Sequence, residues 1–434
     1  MSEQVIRISV RAAWRRALLA AAAALALFLA WQGLRWAAGS TLAEYAQDAE
    51  TAEAAARLAP GDPQPHLRMA RLRRASFLPE EVPKSLAAYE RAAALAPNNY
   101  LFWMELGRAR AVAGDEEGGL AALRRAAELA PYYAQPRWLL GNALLRAGRS
   151  EEAFAELRLA GDADPTLRPQ VFNLAWQLYG GEVARVMDAV GRTPAARAQL
   201  VGMLIGRGLL DEAQKVWSGL SAEDRRRERA AGEQLANALA GGKLYRRAAQ
   251  VLAEAGAPAP GAPGQLLNGG FESEIVGAGK ALFGWQVWPA APNSGAQVAL
   301  DVRNARTGSR SLRVSFNASG QADPNVSQVV PVEPGARYRL GFNVRTEELK
   351  SAAGLEVVVT EAGSSAAIAR SAPAPAGTAG WQQETFEFTA GPTTDGIVVR
   401  LGRESCPESV CPIYGKIWYD DFSLERVAGR ATAR

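Results

Sequence analysis

Three regimes of hydrophobic patterning follow one another along the chain. Residues Ala17 to Trp31 form an unbroken apolar run, ALLAAAAALALFLAW, with no polar face. From about residue 42 the apolar positions recur at helical spacing, in segments closed by Gly or Pro. Beyond residue 264 the spacing changes to alternation over short β-branched stretches, among them SLRVSFN, VSQVVPV, RYRLGFNVRT, LEVVVTEA and GIVVRLG. A Pro/Gly stretch at 256–264, GAPAPGAPG, has the composition of a linker and separates the last two regimes. The pattern predicts a multidomain chain: a transmembrane helix, an all-α array, and an all-β sandwich.

The apolar run, extended through Leu34, reaches the roughly 17–25 residues that a bilayer-spanning helix needs. Trp14, Trp31 and Trp36 flank it as interfacial anchors would. Arg7, Arg11, Arg15 and Arg16 precede it and only Arg35 follows closely, which places residues 1–16 inside and the bulk of the chain outside. An uncleaved anchor at 17–38 is preferred over a cleaved signal peptide. Ala37-Ala38-Gly39 offers small residues for cleavage, but Arg35 and two tryptophans make a poor approach to them.

The helical regime, 42–255, repeats. Trp103–Pro131 superposes on Arg137–Pro165 with a shift of 34, placing Leu106 on Leu140, Gly107 on Gly141, and Gly114 on Gly148. The same shift places Leu123 on Leu157, Ala126 on Ala160, and Pro131 on Pro165. Tyr89, Ala92 and Pro97 mark an earlier unit, whose hairpin is lengthened by SFLPEEVPK. Later pairs blur: LIGRGLLDEAQKVW echoes LLRAGRSEEAFAEL, and a last hairpin turns at Gly241-Gly242. Each unit reads as helix, glycine turn, helix, proline stop, and it resembles the tetratricopeptide repeat. The resemblance implies a solenoid whose first helices line a concave face, with Met104, Arg108, Gln135, Trp138 and Asn142 on it. Such a groove suits a protein partner; a spacer with no ligand is the competing reading.

The third regime, 265–427, predicts an antiparallel jelly roll, followed by a tail at 428–434. It opens with Asn268-Gly269-Gly270-Phe271-Glu272, passes Gly284-Trp285 and Tyr338 to Phe342, and closes with Trp418-Tyr419-Asp420-Asp421-Phe422. This order of landmarks resembles carbohydrate-binding module families 4 and 9, among the galactose-binding-like jelly rolls. The resemblance implies a structural calcium on Glu272 and Asp420, an ion that takes several oxygen ligands. Asp420 shares the strand parity of Phe422 and Leu424 and is expected to point inward, where a carboxylate needs a cation, an arginine or backbone amides. The resemblance also implies an aromatic platform for sugar rings. Trp288, Trp381 and Tyr414 are the candidates, with Gln297, Asn343 and Arg345 as polar partners, whereas Trp285 and Trp418 are expected in the core.

Composition narrows the function. Six of the 49 basic residues are Lys, and this Arg bias with heavy Ala usage points to a high-GC bacterial genome. A net charge of +4 over 434 residues leaves no nucleic-acid footprint. One histidine, His66, lies in the helical regime, so a Ser-His-Asp or Cys-His site has little to draw on. Phosphate-cradling and dinucleotide glycine motifs are absent from the sequence. The expectation is a non-enzyme. Cys406 and Cys411, in the six-residue CPESVC loop, are expected as a disulfide in an oxidising compartment and as free thiols otherwise. Taken together these features predict an inner-membrane, periplasm-facing scaffold for a glycan and a protein, active in polysaccharide assembly or export. The rival is a scaffold whose sandwich binds protein; an unrecognised glycan hydrolase ranks third.

Overall fold

The structure, a computed structural model, describes residues 13–288, 295–318, 322–364, 366–404, 406 and 411–427. Most of the N-terminal segment 1–16 and all of the tail 428–434 lie outside these residues. The chain divides into two compact units, Met1–Val190 and Gly191–Arg434.

In the first unit, α1 (Ala13–Tyr45) is the one described helix long and apolar enough to cross a membrane. Its apolar stretch is solvent-exposed, as no helix packs against it there. The same helix runs on without a break into the array. At Gly39 a Cβ would stand 2.6 Å from that of Ala59, in the segment after α2 (Ala49–Leu58). The apolar stretch and the first repeat therefore share one helix.

Antiparallel pairs follow: α3 (Pro63–Ala75) with α4 (Glu81–Leu95), α5 (Tyr100–Val112) with α6 (Glu116–Leu129), and α7 (Ala134–Arg146) with α8 (Ser150–Ala163). Then come α9 (Arg168–Leu178) and α10 (Val183–Val190). Buried side chains such as Tyr89, Leu106 and Leu123 fill the space between helices. The 34-residue period has a direct packing cause. A Cβ on Gly107 would lie 2.6 Å from Leu123 Cγ, and one on Gly141 would lie 2.6 Å from Leu157 Cγ. Gly114 and Gly148 take φ of 86° and 75°, and the next amide, of Asp115 or Arg149, returns to the carbonyl of Arg110 or Leu144 at 2.9 Å.

The second unit begins with α11 (Pro194–Gly206), α12 (Leu210–Ser218), the short α13 (Ala222–Arg227), α14 (Arg229–Gly241) and α15 (Tyr245–Glu254). Gly208, φ 75°, turns α11 into α12 as the echo in the sequence predicts. The last hairpin differs by one position. Its left-handed residue is Lys243, φ 62°, since it is Leu244 whose amide returns to Leu239 O.

Among the described residues the strands form two sheets. One has six strands in the order β1 (Val276–Gly277), β2 (Gln286–Val287), β5 (Val326–Pro331), β10 (Gly396–Arg403), β7 (Leu355–Glu361) and β8 (Ala367–Arg370). The other has five: β3 (Ala296–Asp301), β4 (Ser311–Ala318), β11 (Ile413–Arg426), β6 (Arg337–Ser351) and β9 (Gly377–Thr389). Every described pairing is antiparallel except β1 with β2. Phe271, Trp285, Tyr338, Phe342, Tyr419 and Phe422 pack in the core between the sheets. Trp285 is a core residue, as expected.

Candidate functional site

The five-stranded sheet has an outward face that its strand alternation defines. Val344, Phe342 and Leu340 on β6 and Ile417 and Tyr419 on β11 enter the core. Their neighbours Arg345, Asn343 and Arg339, and Trp418 and Asp420, therefore point out, with Trp418 opposite Arg345 and Asp420 opposite Asn343. Gln297 on β3 is exposed and pairs with Ser315, and Tyr414 on β11, 42% exposed, pairs with Asn317. Gln383 on β9 pairs with Asn343, whereas Trp381, half-buried, lies within a register shift between the pairs Val344–Gln382 and Thr346–Ala379, where alternation is interrupted. Four of the six expected glycan contacts, Gln297, Asn343, Arg345 and Tyr414, thus lie on one face. Trp288 does not. It is 50% exposed beside β5 of the six-stranded sheet, its indole N–H donating to Ser327 Oγ at 2.9 Å.

The loop 302–310 after β3 covers the centre of this face. Trp418 points outward yet is 1% exposed, because the guanidinium carbon of Arg345 lies 5.1 Å from its ring centre and Asp301 closes over its edge. Trp418 Nε1 donates to Asp301 Oδ2 at 2.8 Å, and Arg345 donates to Asn304 Oδ1 at 2.7 Å. Burial opposes the charge on Asp301, but hydrogen bonds from Trp418, the Arg303 amide and Asn304 outweigh it, and the carboxyl is held down at about 2. Arg345 and Asn343 are both engaged within the protein, since Asn343 Nδ2 donates to Asp421 Oδ2 at 3.0 Å. Lys416 and Gln383 escaped the sequence reading, having no aromatic or motif signal; β11 and β9 bring them to this face.

Asp420 is fully buried, as expected, but not in the core. A bulge between Asp420 and Ser423, with Asp421 at φ 51°, reverses the strand parity, so Asp420 faces away from Phe422 and Leu424. That corrects the inward orientation predicted from alternation. Asp420 Oδ2 accepts from the amides of Arg306 (2.7 Å) and Thr307 (3.3 Å), and Oδ1 accepts from the Asp421 amide (2.8 Å). Glu272 Oε1 takes the amides of Ser309 and Arg310 at 2.9 and 3.1 Å. Thr307 Oγ donates to Asp421. Three carboxylates therefore hold the covering loop by its donors. The opening segment is pinned at the same place: Phe422 donates to Gly269 O at 2.9 Å, and a Cβ on Gly269 would strike Phe422 O.

Burial pushes the Asp420 carboxyl up, partly offset by the Arg306 and Asp421 amides, with the charge of Asp421 pushing the same way as burial. The oxygens of Asp420 and Asp421 stand 3.7 and 3.9 Å from where a Gly270 Cβ would be, and Glu272 Cγ 4.0 Å. This donor set is oxygen only and includes a buried carboxylate facing another carboxylate, which suits a hard cation. Among the described residues no three His, Cys, Asp or Glu side chains converge as ligands, so backbone carbonyls would complete the shell.

Cys406 and Cys411 are joined by a disulfide with a Cα–Cα distance of 6.0 Å. Arg403 donates to the carbonyls of Cys411 and Pro412 at 3.0 and 2.9 Å, fixing the entrance to β11 one residue before Ile413 and two before Tyr414.

On the helices, Met104 is 4% exposed and packs inside the array, so it does not line the groove. It sits between Phe102 and Leu106, also buried, on α5. Arg108 is half-buried, Gln135 exposed and Trp138 half-buried. Asn142 Nδ2 donates to Trp138 O at 2.7 Å, within its own helix.

The carbohydrate-binding family 4/9, described as "Carbohydrate binding domain", matches residues 264–405. No curated protein matches the sequence. Among solved structures, one described as "CBM4 structure and function" is similar at 16% identity and a TM-score of 0.30, covering 38% of this chain and all of that one. The "TPR protein with an unusual peptide-binding site", YrrB, is similar at 18% identity and a TM-score of 0.25, over 48% of this chain and 91% of that one. "MamA 41-end from Desulfovibrio magneticus RS-1" is similar at 16% identity and a TM-score of 0.25, over 39% and 80%.

Proposed function

We propose that this protein is a membrane-tethered, non-catalytic scaffold of the bacterial envelope that holds a glycan on the outward face of the five-stranded sheet and a protein partner along its helical repeats. The match of residues 264–405 to a carbohydrate-binding family carries the first half of this reading. Tyr414, Gln297 and Gln383 on the face, with Trp381 on the same sheet, supply what a sugar needs there: ring surface for C–H stacking and amides for hydroxyls. The length and apolarity of α1 support an inner-membrane anchor with the remainder outside, where Cys406–Cys411 is stable. A system that assembles or exports polysaccharide uses all three parts together.

Calcium at Glu272 and Asp420, with backbone carbonyls completing its shell, has a structural role in this reading, neutralising carboxylate charge beneath loop 302–310 and so fixing the floor of the face. The ion contributes charge and coordination; the contacts to sugar come from the sheet. The rival, a protein ligand for the sandwich, draws support from the ion pairs Arg339–Glu387 (2.7 Å) and Lys416–Glu347 (2.9 Å), which make part of the face polar and charged. A glycan array probed with the full chain in detergent separates the two. Binding to a defined polysaccharide, lost in Tyr414→Ala and Trp381→Ala, is the expected result, and silence across the array sinks the glycan reading.

A further inference from the structure

The connection between α3 and α4 departs from the glycine turns that join α5 to α6, α7 to α8 and α11 to α12. It carries Phe77 at φ 55°, a left-handed conformation that disfavours a bulky side chain, and leaves the ring 92% exposed. Backbone strain and a hydrated aromatic ring both destabilise this arrangement. Phe77 forms the lip of a groove of about 900 Å³. Val112, 66% exposed, stands on another wall, with Leu86 and Ala109 among the lining residues. Arg71, Arg74, Arg108 and Arg146 also line it. Arg73, also in the lining, pairs with Glu53 and Glu81 at 2.9 and 2.6 Å, and Arg71 and Arg74 share Glu105 at 2.8 and 3.5 Å, which leaves five guanidiniums against three carboxylates. Arg108 and Arg146 have no ion-pair or hydrogen-bond partner among the described residues. An apolar trough with an uncompensated cationic rim is complementary to a chain that presents the opposite arrangement.

We propose that this groove docks an acidic segment of a partner polypeptide, one large apolar side chain seated between Phe77 and Val112 and flanking carboxylates on Arg108 and Arg146. This rests on the reading that the repeats bind protein and assigns that binding to a wall made by the lengthened hairpin.

The test is a random-peptide display selection on the full chain in detergent, followed by fluorescence anisotropy of the selected peptides. Phe77→Gly removes the ring and relieves the backbone, so the fold is retained, and an unchanged melting temperature checks this. Arg108→Glu reverses one rim charge. The expected result is enrichment of Asp/Glu flanking an aromatic or large aliphatic residue. Each variant should weaken those peptides by about tenfold or more, as for an anchor residue at a small interface, with the Arg108 effect shrinking at high salt. Neutral or basic selected peptides, or affinities indifferent to both variants, overturn the proposal. Selected peptides that bind elsewhere on the repeats overturn this groove while leaving the protein-binding reading standing. Phosphatidylglycerol vesicles that bind wild type and lose binding in Arg108→Glu, with no peptide enriched, overturn it in favour of a lipid headgroup.

Discussion

Asp395, in the turn before β10, accepts the backbone amide of Arg246 at 2.9 Å and also its guanidinium, so a carboxylate of the sandwich caps the first turn of α15. Leu244, the residue at the N-cap of α15, makes no side-chain cap bond. Tyr245 packs on Gly396, where a Cβ would stand 2.5 Å from its ring. At the far end of the connecting segment, Gly264 donates to Pro331 O at 2.7 Å. The last helix and the sandwich are therefore braced on both sides of the Pro/Gly stretch, within one compact unit.

Removing that cap is expected to destabilise the second unit. Asp395→Ala should cost about 1–2 kcal/mol, a lost N-cap plus a partly exposed ion pair. Asp395→Asn, which keeps an accepting oxygen, should cost less. Thermal unfolding reads both; equal melting of Asp395→Ala and wild type contradicts the capping role.

The repeat glycines make an opposed pair of expectations. In a helix, Gly→Ala gains about 1 kcal/mol of propensity. At Gly141 the new Cβ meets Leu157 at 2.6 Å, and overpacking of this kind costs about 1–3 kcal/mol, so Gly141→Ala should be net destabilising. Gly206→Ala, with nothing within 4 Å, should stabilise or be neutral. Denaturant titration of the two variants gives the sign of each.

Acid stability should report Asp301. Its folded carboxyl is depressed from 3.8 to about 2, so its contribution is present above the unfolded value and is lost as pH falls through the folded one. That shift corresponds to on the order of 2 kcal/mol lost between about pH 4 and pH 2. Asp420 works in the opposite sense. Its carboxyl is raised, so the cost of its charge is relieved as pH falls through the raised value, flattening the upper part of the acid limb. Asp301→Asn should reduce the slope of stability against pH below pH 4. A slope identical to wild type removes Asp301 from the account.

Calcium is expected to raise the melting temperature of the protein, and chelation to lower it, with Asp420→Asn abolishing the response. A melting curve indifferent to both calcium and chelator would mean that the amides of loop 302–310 satisfy the carboxylates unaided.

Aromatic truncations should separate the two sheets. Tyr414→Ala and Trp381→Ala are expected to weaken glycan binding by about 1–2 kcal/mol each, the scale of a lost stacking surface. Trp288→Ala, on the other sheet, should leave affinity unchanged. Isothermal calorimetry with a glycan identified on the array measures all three, and an inverted order moves the site to the six-stranded sheet.

Much of the architecture was legible as pattern. A run without polar residues, a 34-residue period and an alternating regime each have one backbone solution, because each places its apolar positions on a face that only one secondary structure creates. Gly107, Gly114, Gly141 and Gly148 were readable because close helix approach and positive φ tolerate few other residues. The site was less legible. Asp420 reads as inward by alternation, and the bulge at Asp421 turns it the other way; a single inserted residue changes parity without changing composition. Met104 falls at a groove position by analogy of spacing, yet packing around α5 buries it.

Local periodicity and backbone preference act over a few residues, so the order of apolar helix, helical pairs and strands was written in the chain from the start. Which side chains meet was not. Loop 302–310 reaching Asp420 across more than a hundred residues, Asp395 capping a helix 149 residues earlier, and Trp288 parting from Tyr414 onto the other sheet all depend on how strands pair and cross over. Pairing between distant strands follows from burial summed over the whole sandwich, a quantity that no short window of sequence contains.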